Sequence, residues 1–151
     1  LRGGDGEWSL RAFLSFIDRI HKLGRGVILD NMGKAEYSVA AYFLISSGID
    51  AMGDQQLRPD RWWTGLNVDM GDPLGAREDW RGLIRRKFSN GVVLVNPPDS
   101  LPVHLNLLGQ FKRADGSNAA KTVTIAPADG VILLGPSERG KSLETAIQVL
   151  K

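Results

Sequence analysis

The sequence contains no cysteine, and this absence removes whole classes of function. A chain without thiols forms no disulfide, holds no metal through thiolate ligands and has no thiol nucleophile. The two histidines, His21 and His104, have no neighbour at metal-ligand spacing, so both are predicted to be structural and no cofactor is expected. Many exported proteins also lack cysteine, so the compartment stays open and an extracytoplasmic location is compatible with the composition.

Long apolar runs and a strong charge imbalance are also missing. No run approaches the ~20 residues needed to cross a bilayer, so no membrane partner is expected. Nineteen basic and 17 acidic residues give a net charge of +2, and the one basic cluster is Arg85-Arg86-Lys87. Single-stranded nucleic-acid binding needs a broader basic groove with interleaved aromatics, so we interpret the cluster as the solvated face of an edge strand and expect no nucleic acid.

The apolar residues of the first half recur at helical spacing. Residues 7–23 and 34–47 are predicted to be helices, and short continuous apolar runs at 26–30 and 49–52 are typical of buried parallel strands. The order helix, strand, helix, strand indicates a doubly wound sheet or a (β/α) barrel. Residues 52–81, rich in Gly, Asp, Pro and Trp, are predicted to be a long functional or linking loop.

From residue 83 onward the apolar residues alternate in twos. This pattern predicts an antiparallel meander whose turns are Asn90-Gly91, Asp115-Gly116 and Asp129-Gly130. We therefore predict an α+β fold in three parts. They are a partial (β/α) segment with its connector over residues 1–80, an antiparallel β domain over 81–135 and a helical tail over 136–151.

Several segments carry a resemblance to a known group of proteins. They read RKFSNGVVLVNP at residues 86–97, FKRADG at 111–116, TVTIAP at 122–127 and DGVILL at 129–134. These series resemble the small C-terminal β-sandwich that follows the barrel in glycoside hydrolase-like (β/α)-barrel proteins. Upstream, FLISSG at 43–48 and DMGDPLG at 69–75 are similar to the last barrel helix and the connector of such proteins.

The resemblance, over about residues 26–134, implies the end of a (β/α) barrel followed by a small antiparallel β-sandwich. It further implies carbohydrate as the partner, in the C-terminal portion of a longer or processed protein. A complete barrel needs ~200 residues, and the paired carboxylates of barrel glycosidases usually lie on middle strands, so the isolated chain is expected not to be catalytic. The exposed edge of the parallel strands is expected to be covered by a second copy or by an upstream segment.

Polar side chains follow the two predicted parallel strands. Asp30 and Asn31 come after the first strand, and Asp54 and Gln55 come after the second. Because barrel enzymes keep their working groups at the carboxyl ends of strands, we expect these residues to cluster at one rim. Asp30 and Asp54 are the candidate catalytic carboxylates, and Asn31 and Gln55 are candidate substrate-binding residues. The alternative for Asp30 is a cap of the next helix or a hydrogen bond with a turn amide.

Two adjacent tryptophans, Trp62 and Trp63, lie in the long loop. An indole is a flat apolar partner for a pyranose face, so both are candidate sugar-binding residues. The alternative is an apolar plug between the two halves of the chain.

The sequence GPSERGKS at residues 135–142 matches the phosphate-binding pattern G-x-x-x-x-G-K-[ST]. Gly135, Gly140, Lys141 and Ser142 would then bind a nucleotide. Against this alternative, the preceding strand ends an antiparallel meander and no downstream strand carries a Mg²⁺-binding acid. We expect an extended or loosely helical tail with Lys141 in solvent. A non-catalytic binding or structural module is the remaining alternative.

Overall fold

The first half of the chain forms the parallel unit that the apolar pattern predicts. The structure, a computed structural model, describes residues 3–30, 34–53, 62–135 and 143–150. Helix α1 (Leu10–Lys22) is capped by Ser9, whose hydroxyl accepts a hydrogen bond from the Ala12 amide. Strands β1 (Ile28–Asp30) and β2 (Ala51–Gly53) pair in parallel, and helix α2 (Ala35–Ile45) connects them.

The second half is antiparallel, as predicted. Its strands are Glu78–Trp80 (β3), Leu83–Phe88 (β4), Gly91–Asn96 (β5), Val103–Leu107 (β6), Lys112–Arg113 (β7), Thr122–Ile125 (β8) and Asp129–Leu134 (β9), followed after the short helix α3 (Leu143–Ala146) by Ile147–Leu150 (β10). One sheet has the order β3-β4-β5-β9-β7, and a smaller sheet has the order β10-β6-β8. The mixed α+β class is therefore confirmed.

The five-stranded sheet is the middle of three layers. Val93, Val95 and Ile132 on one face pack with α1 and α2 in one apolar cluster, which we call the helix-side cluster. Alternate residues on the other face, such as Leu94 and Leu133, pack with the three-stranded sheet in a second cluster. Strand β5 is buried along its whole length, which explains why an antiparallel strand reads as a continuous apolar run. The two sheets form a sandwich-like pair, while the divisions at residues 80 and 135 remain predictions.

Two of the predicted turns are displaced. The β4–β5 turn consists of Ser89 and Asn90, and neither Asn90 nor Gly91 has a positive φ. Gly91 instead begins β5. A Cβ at this position would lie 2.4 Å from the Leu133 carbonyl oxygen, so the glycine allows β5 and β9 to approach closely. The turn predicted at 129–130 falls at 127–128, and Asp129 begins β9. The hairpin tip at Asp115-Gly116 is confirmed, with Gly116 at φ +84°.

The predicted helical tail requires a correction at its end. Residues 136–142 and 151 lie outside the described part of the chain. Leu143–Ala146 is helical, but Ile147–Leu150 is a strand that pairs antiparallel with β6. Ile147 is buried in the cluster between the two sheets, because tertiary packing outweighs the helix preference of so short a segment. Among the helices in the described residues, none is long and apolar enough to cross a membrane.

The basic cluster at residues 85–87 is not the solvated face of an edge strand. Strand β4 lies between β3 and β5, and Arg85 is only 6% exposed. Its guanidinium binds Glu78 through two nitrogens and stacks 4.8 Å from the Trp80 ring centroid. Arg86 reaches the opposite face of the sheet and donates to the carbonyl oxygens of Phe43 and Ser46 at 2.9 and 2.7 Å.

The Arg86 contacts satisfy carbonyls that the end of α2 would otherwise leave unpaired. Burial lowers the pKa of Arg86, and the neighbouring Arg77 lowers it further.

We predict that Arg86→Met reduces the free energy of unfolding by about 2 kcal/mol, because desolvated acceptors lose a charged donor. Arg86→Lys should recover part of it, since one ammonium cannot reproduce the planar fork of donors. Urea unfolding measures both, with exposed Arg25→Ala as control. Equal stability of wild type and Arg86→Met would contradict the assignment.

Asp50 connects three parts of the α/β layer just before β2. Its side chain is inaccessible to solvent and accepts hydrogen bonds from the Val27 amide, from the amide and hydroxyl of Ser47, and from His21 Nε2 at 2.8 Å if that nitrogen carries the proton. Burial alone would raise the pKa of this carboxyl. The hydrogen bonds outweigh burial and lower the pKa from 3.8 to about 2.

This shift predicts a stability difference with a defined pH window. Since the folded pKa of Asp50 lies below the unfolded value, its contribution is complete above pH 3.8 and is lost as the pH falls through about 2. Asp50→Asn should unfold about 2 kcal/mol more easily than wild type at pH 6, with the gap closing between pH 4 and 2. Urea titrations across this range measure the gap. Asp72→Asn, at an exposed loop position, is the control, and a gap independent of pH would contradict the prediction.

Candidate functional site

The edge where β1 and β2 end carries the one predicted carboxylate that the structure describes. Asp30 is exposed and lies opposite Gly53 in the parallel register, so both strands end at the same edge. Asn31, Asp54 and Gln55 lie outside the described residues, and their arrival at this edge stays a prediction. The helix-cap alternative for Asp30 is wrong, because the N-cap position of α2 is Lys34.

The two faces of β1 differ sharply in exposure. Leu29 is buried against the helices, whereas Ile28 is 75% exposed and Asp30 is exposed on the same opposite face. Within the described residues β1 has only one paired neighbour, β2. The parallel unit is therefore covered by helices on one side and open on the other.

The adjacent tryptophans have different environments. Trp63 is half-buried against the helix-side cluster, and its ring packs so closely on Gly65 that a Cβ there would lie 2.2 Å from ring atom Cη2. This contact favours the plug interpretation for Trp63. Trp62 is 51% exposed and keeps an accessible indole surface. Of the two candidates, Trp62 is the one available for stacking on a ligand.

A cleft of about 230 Å³, which we call the α2 cleft, lies between the start of α2 and the β8–β9 turn. The sequence did not predict it. Its lining comprises Lys34, Glu36, Tyr37, Arg113, Val123, Thr124, Ile125, Asp129, Gly130 and Val131. Glu36 binds Arg113 and accepts from the Ile132 amide at 3.2 Å, beyond the point where β7 stops pairing with β9. The contacts join positions 77 to 96 residues apart, so no local sequence signal reveals them.

A larger opening of about 640 Å³ lies between residues 107–111 and 118–121. It contains none of the residues predicted to bind sugar or nucleotide. Its polar side chains, Gln110, Asn118 and Lys121, are all exposed. A shallow rim of solvated groups orients a ligand poorly, so we regard the α2 cleft as the better-built site.

The nucleotide alternative has an unsuitable context in the described residues. A phosphate-binding loop needs a strand followed by a crossover helix whose N-terminus faces the phosphate. Strand β9 is antiparallel to both neighbours, and α3 has only four residues before β10. Gly135 donates its amide to the Asn90 carbonyl at 3.0 Å. Gly140, Lys141 and Ser142 lie outside the described residues.

Both histidines have polar partners within the protein. His21 pairs with Asp50, and the Nδ1 atom of His104 lies 2.9 Å from the Thr124 hydroxyl oxygen. No group of three potential ligands that could hold a metal ion occurs in the part of the chain that the structure describes. These contacts agree with the structural role predicted for the two histidines.

No protein-family model matches the chain, and no curated protein matches it.

The different environments of the two tryptophans predict different effects of substitution. Trp63→Ala should reduce the free energy of unfolding by on the order of 2 kcal/mol, because it empties part of the helix-side cluster. Trp62→Ala should change stability by less than about 0.5 kcal/mol, since it removes an exposed ring. Chemical denaturation of both variants measures this. Equal destabilisation would show that Trp62 also packs in the fold and would remove it as a ligand platform.

Proposed function

We propose that this chain is the C-terminal, sugar-binding portion of a carbohydrate-active, glycoside hydrolase-like protein. Asp30 contributes hydrogen bonds at the strand edge, and Trp62 stacks on a sugar ring. The observation that carries the proposal is the parallel β1–α2–β2 unit, covered by helices on one face, with Asp30 exposed at its carboxyl edge. That edge is where barrel enzymes bind their ligands.

The open face of the parallel unit supports a barrel origin. In a (β/α) barrel one face of each strand meets the helices and the other meets the packed interior. Leu29 faces the helices, whereas Ile28 and Asp30 lie on the open side. Parallel strands are normally covered on both faces, so further parallel strands are the cover that fits this unit. A second copy of the chain is the alternative cover.

Binding, rather than catalysis, is the activity proposed for the chain by itself. Glycoside hydrolysis requires two carboxylates about 5 to 9.5 Å apart. Asp30 supplies one, and Asp54 is the proposed second member of the pair. A hydrolase function belongs to a protein in which the remaining strands complete the barrel.

The proposal predicts a tryptophan-dependent affinity for saccharides. Calorimetry with neutral hexasaccharides of glucose, galactose and mannose, in α- and β-linked forms, should detect binding of at least one to the wild-type chain. Trp62→Ala should weaken that binding about tenfold, because it removes the stacking surface, whereas Trp62→Phe should retain most of it. Asp30→Asn should also weaken it, since a carboxylate accepts stronger hydrogen bonds than an amide.

Leu108→Ala is the control, because Leu108 is exposed at the end of β6 that lies away from the β8–β9 turn. It should bind as wild type does. Binding that is unaffected by Trp62→Ala and by Asp30→Asn would contradict the proposed site. Absence of binding to every hexasaccharide by the folded chain would contradict the proposed function.

A further inference from the structure

The α2 cleft lies at the same end of the fold as Asp30. A helix that connects two parallel strands runs opposite to them, so the first residues of α2 lie at the edge where β1 ends. Lys34, four residues after Asp30, lines the cleft. The opposite wall comes from Thr124 and Asp129 of the antiparallel part. The cleft therefore adjoins the proposed sugar edge and extends it toward the sandwich-like sheets.

An ion pair in the cleft offers a hydrogen-bond donor beside an acceptor. Lys34 Nζ lies 2.9 Å from Asp129 Oδ2, close to the spacing of neighbouring hydroxyl oxygens on a pyranose ring. Each hydroxyl can donate to the carboxylate and accept from the ammonium. The side chains are 66% and 28% exposed, and an ion pair this open contributes only about 0–1 kcal/mol to stability. The Lys34–Asp129 pair therefore contributes little to the stability of the fold.

A tyrosine hydroxyl without a protein partner faces the same environment. Tyr37 is half-buried in the cleft lining, and no described residue forms a hydrogen bond with its hydroxyl. Tyr42, the other tyrosine, donates to the Asp50 carbonyl at 3.2 Å. Burial, and then the negative charge of Asp129, raise the pKa of Tyr37, so its hydroxyl stays protonated and able to donate. The Tyr37 hydroxyl oxygen is not among the buried polar atoms that lack a partner, so a ligand hydroxyl would replace water at this position.

The size of the cleft fits one sugar residue. Val123, Ile125 and Val131 border the cleft, but their side chains are buried between the two sheets, so the side chains that could contact a ligand are the polar ones. At about 230 Å³ the cleft is smaller than pockets that enclose drug-sized ligands. It therefore suits a single ring at the end of a longer saccharide.

We infer that the α2 cleft is a sugar subsite in which Lys34 and Asp129 bind two neighbouring hydroxyls and Tyr37 donates to a third oxygen. The inference rests on the proposed function and assigns part of the saccharide recognition to the antiparallel part of the chain. The two tyrosines are then expected to respond differently to a bound saccharide, because Tyr37 contacts the ligand and Tyr42 does not.

The experiment uses the full chain labelled with 3-fluorotyrosine. Because the chain has two tyrosines, ¹⁹F NMR gives two signals, which Tyr37→Phe and Tyr42→Phe assign. Titration with the hexasaccharide panel should shift the Tyr37 signal and leave the Tyr42 signal in place. Tyr37→Phe should weaken binding about tenfold, the loss of roughly one good hydrogen bond, while Tyr42→Phe should bind as wild type does.

The outcomes separate this inference from the function on which it rests. If a saccharide binds and Trp62→Ala weakens it, but the Tyr37 signal and the Tyr37→Phe affinity are unchanged, the subsite is wrong and the proposed function stands. If the Tyr37 signal shifts while Trp62→Ala has no effect, the subsite stands and the stacking role is wrong. If no saccharide binds the folded chain, both are wrong.

Discussion

The attachment of helix α2 to the five-stranded sheet is the constraint on which the rest of this structure depends. At one end Glu36 binds Arg113 and accepts a hydrogen bond from the Ile132 amide of β9. At the other end Arg86 donates to the last carbonyls of the helix. The apolar middle of α2 packs on β5 and β9 between these two contacts. Because α2 also connects β1 to β2, its position on the sheet determines where the open edge with Asp30 lies.

This attachment explains why the two halves of the chain meet at one candidate site. The parallel unit contributes Asp30 and Lys34, and the antiparallel part contributes Asp129 at the same end of the fold. Apolar burial alone would allow α2 to slide or rotate on the sheet, since it is non-directional. The charged hydrogen bonds at both helix ends have defined partners and directions, so they select one placement. The cleft between the two parts depends on that placement.

Particular residues show how far local reasoning reached in the fold and in the site. The period of the apolar residues predicted α1, α2, the parallel pair and the antiparallel strands, because burial on one face imposes its spacing on the sequence. The same reasoning misplaced the turn at Asn90-Gly91 and predicted a helical tail where Ile147–Leu150 forms a strand, because strand pairing and packing overrode local preference. In the site, the sequence predicted that Asp30 lies at the carboxyl edge of the parallel pair, whereas it gave no sign of the Arg86 contacts with α2 or of the Lys34–Asp129 pair.

The sequence by itself determined the two periodicities, the mixed α+β class and the absence of thiol chemistry, since each depends on residue type and short-range spacing. Only the tertiary structure decided which basic residues are buried, which tryptophan is exposed and which polar groups share a cleft. The physical reason is distance along the chain. Arg86 meets a carbonyl 43 residues away and Lys34 meets a carboxylate 95 residues away. Such contacts exist only after α2 has packed on the sheet.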